Sequence, residues 1–498
     1  MKVHKLFIIS LIGGLCFAMT SCSDWLDYTP KDKQTAEQQF STREGFYNAV
    51  NGVYNLVSSN SLYGYNLSYG PLDLMGQCYY VSDANTTSYA FQQYTWNNSV
   101  VVSTFSSIWN SAYNAILNIN VILKELDQQN HVLTTKDYSL IKGEMLALRA
   151  FLHFDLLRLF GPVYSKNPKA PSIPFNDGVQ ALRRDRLPAN ELINDKLIPD
   201  LTNAQQLLGE ADPVIADGVL NTDGGEEGNR LRYRQLRFNY YAACLLKARI
   251  YLWMADYDNA LAEAKKITDN QQVSQWFPFV DPSRLLANNT NPDRLFSTEC
   301  LFGFYMKNIS SIYTRYFSGT LDATKILQPR KGYIESLFSS SADFRRQTSW
   351  TGSMSTTGSD YDFIKYKGFT ANSEAPEFWA TFFGLMRISE AYYIAAECCL
   401  QKDDMSNALN YLNTILKARG LEGLADKATA AEILKEIKME YLREMRGEGQ
   451  IFFLHKRFFQ GFGSSNKGEP DLNGAQTVRY DYPSVERYVI PIPSNETN

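Results

Sequence analysis

The chain has 498 residues, 44% hydrophobic and 20% charged, the balance of a globular protein with ample apolar mass for a large core. Lysine and arginine number 49 against 53 aspartates and glutamates, a net charge of −4. With no basic excess to hold a phosphate backbone, nucleic acid is not an expected partner.

Residues 1–5 carry Lys2 and Lys5, and residues 6–19 are almost wholly apolar. That pattern reads as the charged start and hydrophobic body of an export signal, too short to span a bilayer. It ends at Met19, Thr20, Ser21 and Cys22. Small residues before a cysteine look like a lipoprotein signal-peptidase box, with Met19 where leucine is more usual; the alternative is an ordinary secretory signal beside an incidental cysteine. The expectation is a signal peptide over 1–21 and lipidation of Cys22. Each buried acyl methylene contributes roughly 0.8 kcal/mol, and more than one chain gives stable attachment. Cleavage removes Lys2 and Lys5, leaving 47 cations against 53 anions, or −6. Five cysteines then remain: Cys78, Cys244, Cys300, Cys398 and Cys399. An odd number without CxxC spacing suits neither a disulfide framework nor a zinc site. Cys244, Cys398 and Cys399 fall in apolar helical patterns, as small core residues do.

Further along, residues 60–104 are rich in Ser, Asn, Gly and Tyr with weak periodicity and read as a long insertion. A 3.6-residue apolar period then runs through 104–126, on Phe105, Ile108, Trp109, Ala112, Tyr113, Ile116, Ile119 and Leu123. A second runs through 141–160, on Met145, Leu148, Leu152, Leu156 and Leu159, stopped by Gly161 and Pro162. Two later segments superimpose at an offset of 148 residues: Ala248, Leu252, Asp256, Ala260, Leu261 and Ile267 fall on Ala396, Leu400, Asp404, Ala408, Leu409 and Ile415. Each is a helix, a turn and a second helix packed through a small residue, similar to a tetratricopeptide pair. Between them, residues 270–380 form a second aromatic insertion. Loops of this length inside a compact fold are usually functional or contain small elements of their own.

Together these pieces resemble the SusD/RagB family of nutrient-uptake outer-membrane lipoproteins. The resemblance rests on Cys22 to Asp27 with Pro30; on Ala147, Leu148, Arg149, Ala150 and Phe151 through Phe154, Asp155, Arg158 and Phe160 to Val163; and on Ala248 to Leu252 with Asp256. It continues through Arg387, Glu390, Ala391, Tyr392, Ala396 and Glu397, then Arg443, Glu444, Glu448 and Gly449, and ends on Tyr488 to Pro493. One departure is that Ile451 and Leu454 stand where the family usually carries an Arg and an Asp, as expected if a buried ion pair had been replaced as a unit. The resemblance implies an all-α-dominated fold with tetratricopeptide-type helix pairs and long irregular insertions, over 22–498, with halves 22–240 and 241–498. It further implies residence on the outer face of the outer membrane, and capture of an oligosaccharide, or in some members a peptide, for a TonB-dependent, SusC-like transporter. No cofactor is implied, and a structural Ca²⁺ is left open.

No catalytic or metal-ligating residue is expected. The mature chain has only His131, His153 and His455, and no HExxH or Gly-x-Ser-x-Gly. His153, among Phe151, Phe154 and Leu156, reads as a core histidine. The glycine-rich 461–467 run lacks the Gly-Lys-Ser/Thr ending of a phosphate loop. A surface glycanase, which needs only two carboxylates, is the enzymatic rival. The basic runs Arg183, Arg184, Arg186 and Arg230–Arg237 fit solvated faces better than acidic-sugar sites. A sugar ring offers a C–H face and a hydroxyl rim, which flat aromatics and Asn, Gln or Asp side chains complement. From loop placement, Tyr79, Tyr80, Trp96, Tyr313 and Trp350 are the expected ligand-binding residues, with Asn66, Gln77, Asp83, Asn85, Gln92 and Asn98 among the polar partners.

Overall fold

The computed structural model describes residues 35–81, 86–180, 182–286, 292–322, 324–329, 333–352, 361–368, 381–459 and 484–496. Cys22, Asp83, Asn85 and the 461–467 run lie outside them. The principal helices are α1 (Arg43–Val57), α2 (Ser99–Gln128), α3 (Thr135–Phe160), α4 (Ile198–Ala211), α5 (Tyr240–Trp253), α6 (Tyr257–Thr268), α7 (Ile388–Gln401), α8 (Met405–Ala418), α9 (Ala430–Glu444) and α10 (Ile451–Phe458). Among the described residues, three two-stranded antiparallel ribbons join them: β1 (Pro171–Pro174) with β2 (Arg186–Pro188), β3 (Cys300–Tyr305) with β6 (Phe382–Arg387), and β4 (Trp350–Thr351) with β5 (Asp362–Phe363). The fold is the helical one expected. The main hydrophobic core runs from Phe40 to Ile490, and Val280, Leu285, Phe296 and Phe344 form a small second cluster. Among the described residues no helix is long and apolar enough to cross a membrane.

Helix α2 begins at Ser99, six residues inside what the sequence reads as insertion. The Asn98 side chain accepts from the amides of Val100 and Val101 and so starts the helix. The run of three β-branched valines, poor helix formers, hides this start. Thr134 and Asp137 form a capping box at the head of α3. From Ser139 nearly every residue of α3 is buried, because α2, α4 and α5 surround it. Its charged residues are therefore paired inside: Arg149 grips Asp200 through two bonds of 2.8 Å, Arg158 pairs with Asp155, and Glu144 accepts from Arg234 at 2.8 Å.

The repeat is real in detail. Ala255 and Asp403, 148 residues apart, both take the left-handed conformation at φ 60°. The following Asp256 and Asp404 then cap α6 and α8 identically, accepting from the Asn259 and Asn407 amides at 3.2 Å. Ala260 and Ala408 are fully buried at the helix crossings, where a side chain this small lets two backbones approach. All five expected free cysteines are buried and unbridged.

The last turn of α3 is held from α10. Lys456 Nζ donates to the carbonyls of Arg158, Leu159 and Gly161 at 2.7, 3.2 and 2.9 Å, a cation at a helix C-terminus. Lys456→Met keeps the length but strands these acceptors. It is expected to lower stability by about 2–4 kcal/mol in urea unfolding.

Candidate functional site

The two insertions meet through their aromatic side chains. Tyr69 and Tyr366 lie against Phe383 of β6, the latter stacked at 5.6 Å and 15°. Phe317 packs on Phe363 at 5.2 Å, Tyr79 on Phe317 at 5.5 Å, and Trp350 on Phe363 at 4.9 Å. This buried layer fixes a second one at the surface. There Tyr65 and Tyr316, both half-buried, stack at 5.0 Å and 16°, with Tyr69 edge-on to Tyr65 at 5.4 Å.

Tyr313 and Tyr316 stand on a wide π-helical turn, Tyr313–Phe317, a geometry frequent at functional positions. The Tyr313 hydroxyl donates to Asp362 Oδ2 at 3.4 Å; that oxygen also accepts the Gly319 amide at 3.0 Å. Partial burial, then the Asp362 carboxylate, pushes the Tyr313 hydroxyl above its usual pKa, so it stays a neutral donor. Lys367 Nζ sits 5.6 Å from the Tyr313 ring centroid. The Tyr316 carbonyl accepts from Leu327, and the next residue, Gln328, accepts the Tyr80 amide at 2.8 Å, which brings Tyr80 beside this turn. Tyr80 is 48% exposed and Tyr305, at the end of β3, 58%. Partly exposed tyrosines on a rigid aromatic layer, with the Asp362 carboxylate and the Lys367 ammonium beside Tyr313, suit a ligand with an apolar face and hydroxyl edge.

Of the five expected ring contacts, the structure brings Tyr80 and Tyr313 to this surface. Tyr79 and Trp350 are corrected: both are buried, and their rings flank the Arg446 guanidinium at 5.7 and 5.5 Å. They serve a buried cation and offer no face to a ligand. Tyr80 differs from Tyr79 because its amide is bridged to Gln328 at the surface while the Tyr79 ring packs inward on Phe317, which composition does not reveal. Trp96 is half-buried elsewhere, its Nε1 donating to the Glu486 carbonyl at 2.9 Å and its ring edge-on to Phe105 of α2. Its contacts fasten the 484–496 segment.

Several expected polar partners are also occupied. Gln92 donates to the Tyr79 carbonyl at 2.7 Å, Gln77 to the Gln92 carbonyl at 2.9 Å, Asn66 to the Ser61 carbonyl at 3.2 Å, and Asn98 caps α2. Tyr65 and Tyr316 are the rings that choosing by composition passed over. Tyr316 stands on the same turn as Tyr313, three residues later, and that nearness in sequence is the signal that points to it. The basic runs are structural: Arg184 pairs with Asp177, Arg230 with Glu44, and buried Arg234 with Asp212 and Glu144. Among the described residues no group of His, Cys, Asp and Glu is arranged to hold a metal.

The charged residues that carry the family resemblance find one another. Arg249 bonds Glu390 at 2.6 and 2.5 Å, Glu397 accepts from Arg457 at 2.7 Å, and Arg387 reaches Glu444 and Glu448. Gly447 and Gly449, at φ 83° and 70°, turn their amides onto the buried Asp73 carboxylate at 2.6 and 3.2 Å, a backbone path that side chains resist. Ile451 and Leu454 are both buried, in keeping with loss of an ion pair as a unit.

Comparison with known proteins agrees. Residues 24–214 match a model described as starch-binding associating with outer membrane, and residues 297–498 match the SusD family model. SusD-like protein P25 of Formosa agariphila is 23% identical over 338 residues, which is 65% of this chain and 55% of that protein, so the match spans about half the relative's length. A SusD superfamily protein of Bacteroides thetaiotaomicron shares the fold with a TM-score of 0.69 at 20% identity, over 92% of this chain and 97% of that one. A SusD-like carbohydrate binding protein of Bacteroides vulgatus does so at 0.66 and 18%, over 92% and 96%. With two models of one family matched in order along the sequence, and its fold reproduced over most of the length, this chain belongs to the SusD/RagB family.

Proposed function

We propose that the protein is a surface lipoprotein of the outer membrane, anchored through Cys22, that captures an extracellular oligosaccharide without cleaving it. It then delivers the ligand to a TonB-dependent, SusC-like transporter. The observation that carries this reading is the solvent-facing tyrosine surface around Tyr65, Tyr80, Tyr313 and Tyr316, braced by a buried aromatic layer. Ring stacking on a sugar face gives affinity at small entropic cost, and the Asp362 carboxylate and tyrosine hydroxyls would meet the hydroxyl rim. Membership of the family supports the class of ligand and partner.

A glycan array probed with residues 23–498 tests the ligand, with a peptide library as the comparison arm. On an oligosaccharide so identified, Tyr80→Ala and Tyr313→Ala are expected to weaken binding roughly tenfold each, about 1.4 kcal/mol. Trp96→Ala should leave it within about twofold. Equal loss from all three would refute the assignment of the surface. Radiolabelled palmitate is expected to enter the intact chain and to be lost in Cys22→Ser.

A further inference from the structure

Where α3, α5, α7 and α10 meet, a cavity of about 30 Å³ lies between Arg158, Arg249 and Arg457 on one side and Leu252, Trp253 and Leu454 on the other. Half-buried Gln450 and Arg457 also line it; the other lining residues are buried. The space suits one or two water-sized particles. Arg249 spends Nε and Nη2 on Glu390, but its Nη1, cut off from bulk water, has no protein partner. A buried charged donor rarely stays unsatisfied.

The charges around the cavity do not balance. Asp155 pairs with Arg158, Glu390 with Arg249 and Glu397 with Arg457. Lys456, also buried, donates only to the three carbonyls at the end of α3. Although burial pushes its pKa down, three acceptors call for the three protons of an ammonium. Counting Lys456, which stands behind the lining next to Arg158, four cations thus meet three carboxylates, of which Glu390 itself lines the cavity, and Lys438 beside Glu397 and Arg457 adds a further positive group at the margin. A water molecule in the cavity would satisfy Nη1 and leave the surplus charge; a small monovalent anion answers both. We propose that this cavity is a halide site, holding one chloride against Arg249 Nη1 and tying α3, α5, α7 and α10 together.

The test uses the full mature chain. Its thermal midpoint is measured in sodium chloride, bromide and gluconate at equal ionic strength, and crystals soaked in bromide are examined for anomalous scattering. The expected results are a rise of about 2 °C between about 1 and 150 mM halide that gluconate does not give, and a bromide peak beside Arg249 Nη1. Leu454→Asp, which places a carboxylate in the cavity wall, should abolish both. If that variant fails to fold, the two wild-type measurements decide alone. Equal midpoints in halide and gluconate, with no bromide peak and only water at Nη1, would overturn the proposal.

Discussion

Glu444→Gln is expected to lower the stability of the protein by about 3–5 kcal/mol. Glu444 is the meeting point of three buried arginines. Arg345 Nη1 donates to it at 2.8 Å, Arg419 Nη2 at 2.6 Å, and Arg387 through Nη1. Those arginines in turn hold Asp343, Glu440, Glu299 and Glu448. The arginines drag the Glu444 carboxyl well below its usual pKa against the opposing effect of burial. Glutamine preserves shape and one acceptor but turns an amide NH2 toward guanidinium donors that Glu444 accepts on both oxygens, leaving buried charged donors unpaired in a medium that cannot solvate them. The network joins β6, α9 and the second insertion, so its loss would loosen the layer beneath the tyrosine surface. Urea unfolding followed by tryptophan fluorescence reads the change; a shift under about 1 kcal/mol would mean that water reaches the network.

The second large effect is a loss of stability in acid governed by His153. The histidine is fully buried, with Nδ1 2.9 Å from the Arg149 carbonyl and Nε2 accepting the Asn176 amide at 3.1 Å. That arrangement requires the neutral ring with its proton on Nδ1. Burial foremost, with the Arg149 charge, pushes its pKa down to about 3. Unfolded, the ring titrates near 6.5, so the unfolded chain binds a proton that the folded one refuses. The stabilisation is fully present above about pH 6.5 and is lost as pH falls toward 3, roughly 4–5 kcal/mol over the whole window. Glu440, lowered to about 2 by Arg345 and Arg443 despite its burial, adds a loss of the same sign below its ordinary range. Asp73 opposes both: burial raises it to about 6 against the pull of Arg446 and two glycine amides, so its contribution is lost as pH rises through 6. Comparing wild type with His153→Gln isolates the histidine. A glutamine can make both bonds without titrating, so the variant should show a flatter decline between pH 6.5 and 3. An unchanged decline would show that His153 is not responsible.

How much of this was legible in sequence follows from what sequence encodes. The helix pairs were readable because their Asp caps and small crossing residues recur at one offset, and backbone capping is a local matter. The family was readable because residues such as Arg149, Asp155, Arg249 and Glu390 must pair inside the core, and charge inside an apolar helix stands out. The choice of ring contacts was only partly readable. Tyr79 and Tyr80 are adjacent and chemically identical, and only the bridge to Gln328, 248 residues away, decides which one faces water. Trp350 was drawn inward by Arg446, a partner 96 positions away that no local pattern announces. Asn66, Gln77, Gln92 and Asn98, expected to meet sugar hydroxyls, are instead bonded to backbone groups of a long insertion and of the helix start that follows it, where few regular ladders satisfy them.

The tyrosine surface is proposed to hold a glycan and to leave it intact. The most direct test incubates residues 23–498, as wild type and as Tyr65→Ala with Tyr316→Ala, with the oligosaccharide retained on the array, measuring affinity by calorimetry and product by mass spectrometry. Binding of unaltered oligosaccharide by the wild type, weakened at least about a hundredfold in the double variant, is the predicted result. Equal affinity in both proteins, or shortened sugar in the wild-type reaction, would contradict it.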